Sequence, residues 1–363
     1  MLQPLSQRAA LTCLLYRGVS GHHIGLARKR RFPDDQQKHN SDEPDHPPAT
    51  CCVWMEAVGH RGCQEPGATL MTVQAEDFER HRSLLFSIAY RMLGSVAEAE
   101  DVVQEAYLRW RVVSEEEVRS PRSYLSAVVT RLSINRLRSA QARREEYVGP
   151  WLPEPLLSDG TEGIAGPGEL DESLSMAFLV LLESLNPVER AVFLLRDVFD
   201  YDYEEISRIV GKSEANCRQI AHRARQSVAA RRPRFERSPE QEERLTRQFV
   251  ETCMSGDMEG LVSLLSEEVT LWSDGGGKVA AAPYPIYGPE RVARFLDGVL
   301  RTVPPGFFAR LARVNGGPGV VGYVDGQPTG VVALDVADGS LRSVRIIVNP
   351  DKLRAIPPSS LSQ

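Results

Sequence analysis

The sequence predicts a multidomain chain: two all-α helical domains, the second built on a helix-turn-helix, then an α+β domain, all preceded by a disordered N-terminal extension. Three observations carry this. Residues 72–145 and 171–235 repeat apolar positions at helical spacing. Residues 202–230 read as two short helices around a glycine corner. Beyond residue 239 helices come first, and then runs of alternating residues broken by Gly-Gly and Asp-Gly turns.

Bulk properties bound the function. A length of 363 residues allows two or three domains. A hydrophobic content of 42% with 25% charged residues is that of a soluble globular chain. The 43 basic and 49 acidic side chains leave a net charge of −6, which excludes a general nucleic-acid coat protein. Any contact with DNA then needs a local basic face or a helping partner. The six cysteines show no paired CxxC spacing. Cys51, Cys52, His60 and Cys63 do not make a convincing metal set, so no metal, cofactor or disulfide framework is expected. No apolar run is long enough to span a bilayer, and a reduced, cytoplasmic protein with no membrane partner is expected.

Residues 1–71 lack sustained periodicity and are rich in breakers and charge. They read as a disordered extension or as sequence upstream of a true start at Met71. A helical domain follows over 72–145. Phe78, Leu84, Leu85, Ile88, Ala89 and Met92 form the apolar face of its first helix. In the next helix Ala99, Val103, Ala106, Tyr107 and Trp110 line one face. Asp101, Gln104, Glu105 and Leu108 line another at i, i+3, i+4 and i+7. A helix needs one apolar stripe for its own core, so a polar stripe carrying an outward leucine suits a protein partner; a solvated face is the plain alternative. Residues 114–121 read as a loop. Beyond them Tyr124, Leu125, Val128, Val129, Leu132 and Leu137 run at helical spacing among Arg131, Asn135, Arg136 and Arg138. Basic groups beside an aromatic suit a nucleic-acid backbone and a stacked base, or equally a solvated helix end.

Residues 146–170 are rich in Pro and Gly and read as a linker, in which Trp151 needs a surface to cover. The second helical domain spans 171–235. A helix is expected over Asp171–Leu185, and Asn186-Pro187-Val188-Glu189 caps another. Asp202 with Glu205 starts the first helix of the hairpin, Gly211 makes the corner and Ser213 caps the second helix. Cys217, Ile220, Ala221, Ala224 and Val228 face inward. Ser213, Glu214, Asn216, Arg218, Gln219, His222, Arg223 and Arg225 are left to face outward, where leading residues can meet base edges and later arginines phosphates. The plain alternative is an amphipathic hairpin with solvated arginines.

Residues 239–353 form the α+β domain. Helices are expected over Gln241–Met254, Met258–Leu265 and Arg291–Leu300. Strands are expected over 268–272, 307–314, 319–324, 330–336 and 341–348, with Val279–Ala282 as a further strand. Asp274-Gly275-Gly276-Gly277-Lys278 is a loop without the spacing of a phosphate cradle. Three glycines permit close backbone approach, while Asp274 and Lys278 can bond a neighbouring domain.

Three stretches carry a family resemblance. Asp101-Val-Val-Gln104-Glu105-Ala-Tyr107-Leu108-Arg109-Trp110 resembles the signature helix of bacterial extracytoplasmic-function (ECF) sigma factors. SPRSYLSAVVTRLSINRLRSAQAR (120–143) is similar to their next segment, which melts the promoter and reads the −10 element. Residues 202–230 resemble their −35-reading helix-turn-helix. WLPEPL (151–156), DGGGK (274–278) and NPDKL (349–353) resemble motifs of the SigJ-like subgroup, which carries a SnoaL-like (NTF2-like) C-terminal domain. The resemblance implies promoter DNA and core RNA polymerase as partners, the latter through its β′ clamp coiled coil and β flap. It implies polymerase contacts at Asp101, Gln104, Glu105 and Leu108, −35 contacts over Ser213–Arg225 and −10 contacts over 114–144, with Arg131, Asn135, Arg136 and Arg138. It further implies interdomain control through Trp151, Asp274, Gly275, Gly276, Gly277, Lys278, Asn349, Pro350, Asp351, Lys352 and Leu353, with no dedicated anti-sigma factor required. No enzymatic activity is expected. Two alternatives stand beside this reading: a ligand-sensing helix-turn-helix repressor, and an NTF2-fold enzyme using Asp274, Asp297 or Tyr323.

Overall fold

The computed structural model describes residues 66–359 apart from 114–117, 119, 146, 158–173 and 231–237. Most of the expected N-terminal extension lies outside the described residues. Its end does not, because helix α1 (Pro66–Leu93) starts upstream of Met71. Proline at the first helical position suits such a start, since its missing N–H would have no partner there.

The first helical unit continues with α2 (Val96–Trp110) and α3 (Pro121–Glu145). Ser95 caps α2 by accepting from the Glu98 amide, and Trp110 donates its indole N–H to the Gln74 carbonyl at 2.9 Å. The second unit holds α4 (Met176–Leu182), α5 (Pro187–Phe193), α6 (Tyr203–Val210) and α7 (Glu214–Ala229). Helix α4 is shorter than the expected 171–185, and residues 171–173 lie outside the described set. Asn186 and Glu189 form a complete capping box on α5. Asp202 caps α6 as expected, but Glu205 does not close the reciprocal bond; its carboxylate accepts from Ser123 of α3 at 2.7 Å instead.

That diversion reflects a larger fact. The two helical units share one continuous apolar core that runs from Phe78 through Leu125 and Val192 to Val228. Buried Arg190 joins them: one guanidinium nitrogen donates to the Met92 carbonyl at the end of α1 at 2.7 Å and to Glu183 at 2.9 Å. Arg91 lies over the Phe199 ring, 5.5 Å from its centroid. Tyr201 donates to Ser126 of α3 at 2.7 Å in the buried seam.

The C-terminal unit starts with α8 (Pro239–Ser255) and α9 (Met258–Leu264), and β1 (Leu265–Asp274) follows α9 with no intervening loop. Then come β2 (Ile286–Tyr287), α10 (Pro289–Leu300), β3 (Phe307–Val314), β4 (Gly317–Val324), β5 (Gln327–Ala337) and β6 (Ser340–Ile347). The expected strand over Val279–Ala282 is absent; those residues are turn and coil, and the short β2 takes the sheet edge. The sheet order is β2-β1-β6-β5-β4-β3. Helices precede the six-stranded sheet, in the order expected from the sequence. Neighbouring strands are antiparallel except β1 and β6, which run parallel with Asp274 opposite Ile347. Parallel strands end on the same side of a sheet. This pairing therefore puts the loop after β1 beside the 3-10 turn Pro350–Leu353 that follows β6.

Each sheet face has its own core. One face packs on α8, α9 and α10 through Phe249, Val292, Leu334 and Val344. The other buries Val321, Tyr323, Val331 and Ile347 against Leu152 of the linker, Met176 of α4 and Leu353.

The Arg190 contact sets a first prediction. Arg190→Ala leaves Glu183 and the Met92 carbonyl without their buried donor, and should lower unfolding stability by about 2–4 kcal/mol in urea titrations. A loss below about 0.5 kcal/mol, the size of an ordinary surface change, would contradict the joint role assigned to this residue.

Candidate functional site

Three features lie on this scaffold. The first is the ridge on α2. Ala99, Val102, Val103, Ala106 and Trp110 are buried, so the helix commits one face to its own bundle. Asp101, Gln104 and Leu108 are exposed on the other face and Glu105 is half-buried. Leu108 is 55% exposed, although most residues of its type are covered in such a bundle. Glu105 pairs with Arg109 at 2.7 Å and Asp101 with Arg136 at 3.2 Å. Both pairs are at the surface and hold little energy, so neither prevents the carboxylates from meeting another partner.

The second is the hairpin of α6 and α7. Gly211 takes φ 67°, the left-handed conformation that a side chain would strain, and Ser213 caps α7 through the Asn216 amide. Cys217, Ile220, Ala221, Ala224 and Val228 are buried. Ser213, Asn216, Arg218, Gln219, His222, Arg223 and Arg225 are exposed, and Glu214 is half-buried beside Arg218 at 2.7 Å. Arg225 pairs with Asp197 at 2.7 Å.

The four polar residues expected to act together on α3 are not one surface. Asn135 and Arg138 are exposed. Arg136 turns toward α2, bonding Asp101 and the Glu98 carbonyl. Arg131 turns toward α6, donating to the Ile209 carbonyl at 2.9 Å and the Arg208 carbonyl at 2.6 Å. These are the open carbonyls of a helix C-terminus, where a cation is favoured. In this conformation Arg131 clamps the first helical unit onto the hairpin.

The third feature is a clasp between the linker and the C-terminal sheet. Asp274 is 0% exposed at the end of β1. One carboxylate oxygen accepts from Lys352 at 2.7 Å and from the Leu152 amide at 2.8 Å. The other accepts from the Tyr147 hydroxyl at 2.6 Å and the Gly276 amide at 3.1 Å. Lys352 also donates to the Leu152 carbonyl and sits 4.3 Å from the Trp151 ring centroid. Asn349 donates to the Tyr147 hydroxyl at 3.0 Å. Lys278 pairs with Asp351, whose carboxyl is held below its ordinary range mainly by that bond. Burial, followed by the bond to Asp274, pushes the Tyr147 phenol up, so it stays a donor at neutral pH. Gly276 has φ 60°, and a Cβ there would collide with the Asn349 amide. Pro350 begins the 3-10 turn and Leu353 is buried in the core beneath the clasp. A Cβ at Gly275 would collide with the Val279 carbonyl, whereas at Gly277 it would only press on the Val148 side chain at 3.3 Å, and the φ of 70° is what favours glycine there.

The linker residues 147–157 are thus a strap rather than a tether, and the strap has a second anchorage that sequence reasoning missed. Glu154 accepts from Ser95 at 2.9 Å and from the Val96 amide at 2.6 Å, so it supplements the N-cap of α2. The Glu154 amide donates to the Gly94 carbonyl at 2.8 Å. Tyr90 donates to the Glu154 carbonyl at 2.6 Å and accepts from Asn315 at 2.6 Å. Asn315 also exchanges two bonds with the backbone of Leu156. Burial pushes the Tyr90 phenol up, which keeps it protonated as a donor. Gly94 is required beneath the strap: a Cβ there would lie 2.7 Å from the Trp151 ring. Asn315 was readable only as the first residue of a hairpin turn, and its φ of 53° matches those of Asp325 and Asp338 in the other turns, so no local signal marks its role.

Comparisons with known proteins agree with this anatomy. The family model for Sigma-70 region 2 matches residues 78–143, and that for Sigma-70, region 4 matches residues 175–228. The ECF RNA polymerase sigma factor SigJ of Mycobacterium tuberculosis is 37% identical over 298 residues, covering 78% of this chain and 95% of that protein. The probable ECF RNA polymerase sigma factor SigI of the same species is 32% identical over 284 residues, covering 76% of this chain and 94% of that protein. The crystal structure of M. tuberculosis SigJ superposes with a TM-score of 0.63 at 34% identity, covering 77% of this chain and 98% of that one.

The clasp sets a second prediction. Asp274→Asn leaves the Lys352 ammonium buried without its counter-charge, a change that typically costs about 3–5 kcal/mol. The Leu152 amide, which donates to Asp274, should then exchange with deuterium at least about tenfold faster than in the wild type. Unchanged protection at Leu152 would show that the carboxylate does not hold the strap.

Proposed function

The chain belongs to the ECF RNA polymerase sigma factors, and from that premise we propose how its surfaces divide the work. The protein binds core RNA polymerase and directs promoter-specific transcription initiation. The α2 ridge of Asp101, Gln104, Glu105 and Leu108 docks on the β′ clamp coiled coil, and the second helical unit meets the β flap. Residues Ser213–Arg225 read the −35 element. The 114–144 segment opens and reads the −10 element with Arg131, Asn135, Arg136 and Arg138. The protein acts with polymerase in the cytoplasm, and no catalysis is assigned to it. Among the described residues no helix is long and apolar enough to cross a membrane.

The observation that carries the reading is the exposed ridge. The bundle buries the opposite face of α2 completely, so the ridge takes no part in its own core, and an acidic and amide stripe ending in exposed Leu108 suits a partner surface. A ligand-sensing repressor would leave that ridge unexplained, and the relatives favour the sigma-factor reading.

The shared helical core supports a further element, control in cis. Elements centred at −35 and −10 are about 25 base pairs apart, which is about 85 Å along B-DNA. Two units packed against each other cannot face both, so they must separate on the promoter. The strap ties the sheet to the first unit through Glu154 and Asn315, and the sheet also packs on α4 of the second. In our reading the C-terminal domain sets how readily the units part, and no dedicated anti-sigma factor is required.

Two tests follow. Asp101→Lys with Glu105→Lys should abolish copurification with core polymerase while leaving the thermal melt within a few degrees of wild type, since both side chains are at the surface. Retained copurification would remove the ridge from the interface. Stopping the chain before Pro239 should change transcription in a reconstituted assay by at least about fivefold, the scale of a modest coupling energy. Equal output from both lengths would contradict control in cis.

A further inference from the structure

Between the helices and the sheet of the C-terminal unit lies an open cavity of about 260 Å³. Its walls include Phe249, Leu296, Val303, Ala309, Val332 and Val348, and exposed Met254 and Val299 stand at its edge. No Asp, Glu, Lys, Arg or His is among its described lining residues. The polar groups it does contain are already engaged: the Thr302 hydroxyl donates to the Val299 carbonyl at 2.6 Å and that of Thr329 to the Gly322 carbonyl at 3.2 Å. The Cys253 thiol is pushed up to about 12 by burial, so it is neutral and unreactive at physiological pH. The carboxylates and phenol considered for an enzyme lie elsewhere. Asp274 is inside the clasp, Asp297 pairs with Arg301, and Tyr323 is buried on the opposite sheet face. The cavity has the means to hold an apolar molecule and none of the groups needed to turn one over.

The same sheet connects this cavity to the strap. Along β4, Val320, Gly322 and Val324 line the cavity, while Val321 and Tyr323 belong to the core under the strap. On β5, Gly330 and Val332 line it, while Val331 and Ala333 face the strap. At the end of β6, Ile346 and Val348 line it and Ile347 faces the strap; the Val348 amide itself donates to the Asp274 carbonyl. One layer of backbone separates the two sides, and a close-packed interior transmits small displacements.

We propose that the C-terminal domain is a receptor for an uncharged, largely apolar small molecule, and that the sheet transmits occupancy of this cavity to the Asp274 clasp. Binding and transmission can both be read without polymerase, so they stand or fall separately from the assigned role in transcription.

The test uses the full-length protein and two dyes that share a framework. N-phenyl-1-naphthylamine is neutral, and 8-anilino-1-naphthalenesulfonate adds a sulfonate. The neutral dye should give a saturable fluorescence rise with an affinity at least about tenfold above that of the anion, since a dry apolar wall penalises an unpaired charge. Ala309→Trp, which fills the cavity, should weaken the neutral dye at least about tenfold while circular dichroism remains native. Should that variant unfold, Thr329→Trp at the exposed rim carries the same expectation. No saturable binding, equal affinity for both dyes, or undiminished binding by a folded cavity-filled variant would overturn the site. Coupling is reciprocal, so Asp274→Asn should shift the affinity of the neutral dye by about fivefold or more. The milder Tyr147→Phe, which removes one bond from the clasp, should shift it in the same direction by less. Unaltered affinity in both would overturn the transmission.

Discussion

The Asp274–Lys352 ion pair is the contact on which the rest of the arrangement depends. Both side chains are buried, and a pair of buried charges is tolerated only where every remaining lone pair and proton is used. Here the partners are drawn from three places: the loop after β1, the turn after β6 and the backbone of the strap at Leu152. The parallel pairing of β1 with β6 brings the first two together, and the strap completes the set. If Leu152 and Tyr147 withdraw, the pair loses three of its bonds and is opened to water. The clasp therefore favours either full closure or release, and intermediate positions are penalised by unpaired polar groups.

A second anchorage makes the strap a connector. Its Tyr90–Asn315 contact repeats the logic of Tyr147–Asn349: in each, an asparagine amide donates to a phenol, which donates onward. Asparagine supplies both an acceptor and donors: while each amide fixes its phenol, Asn315 also accepts from the Leu156 amide of the strap and Asn349 from the Asp351 amide of its own turn. The two pairs lie at opposite ends of the motif around Trp151. With Gly94 leaving room for the indole, the strap is held to the first helical unit and to the sheet at once. The helical units meanwhile share a core, and Arg131 and Arg190 tie backbone carbonyls across their seam. The free protein is in this way a closed body whose contacts differ in kind: apolar burial between the units, and polar bonds around a buried Leu152 along the strap. Polar bonds can be exchanged for bonds to water or to a partner at small net cost, which makes the strap the natural place for control.

Much of this was legible in the sequence, for reasons that particular residues make plain. Asn186-Pro187, Asp202, Gly211 and Ser213 act within a few residues of themselves, so local chemistry predicted the helix ends. The buried face of α2 follows from 3.6-residue periodicity, and the strands from Phe307 to Ile347 from their alternation and turns. What was missed depends on distant neighbours. Nothing near Glu205 reveals that its carboxylate serves Ser123 instead of its own helix. Arg131 and Arg136 look alike in sequence, yet one grips α6 and the other meets α2. Proline and glycine around 146–170 suggested freedom, whereas residues 147–157 are fixed by partners more than a hundred positions away. The expected strand at Val279–Ala282 fails because the glycine turn at 276 and 277 and the neighbouring Pro283 break the chain on either side.

The central claim is that the two helical units are closed on each other in the free protein and part on polymerase, with the clasp setting the balance. Spin labels placed at exposed Glu79 on α1 and Ser227 on α7, outside the surfaces assigned to DNA and polymerase, would report it directly by pulsed dipolar spectroscopy. The account predicts one short distance in the free wild type, a long distance when core polymerase and promoter DNA are added, and a mixture of both in free Asp274→Asn. A single short distance that persists in the promoter complex, or a free protein already at the long distance, would contradict it.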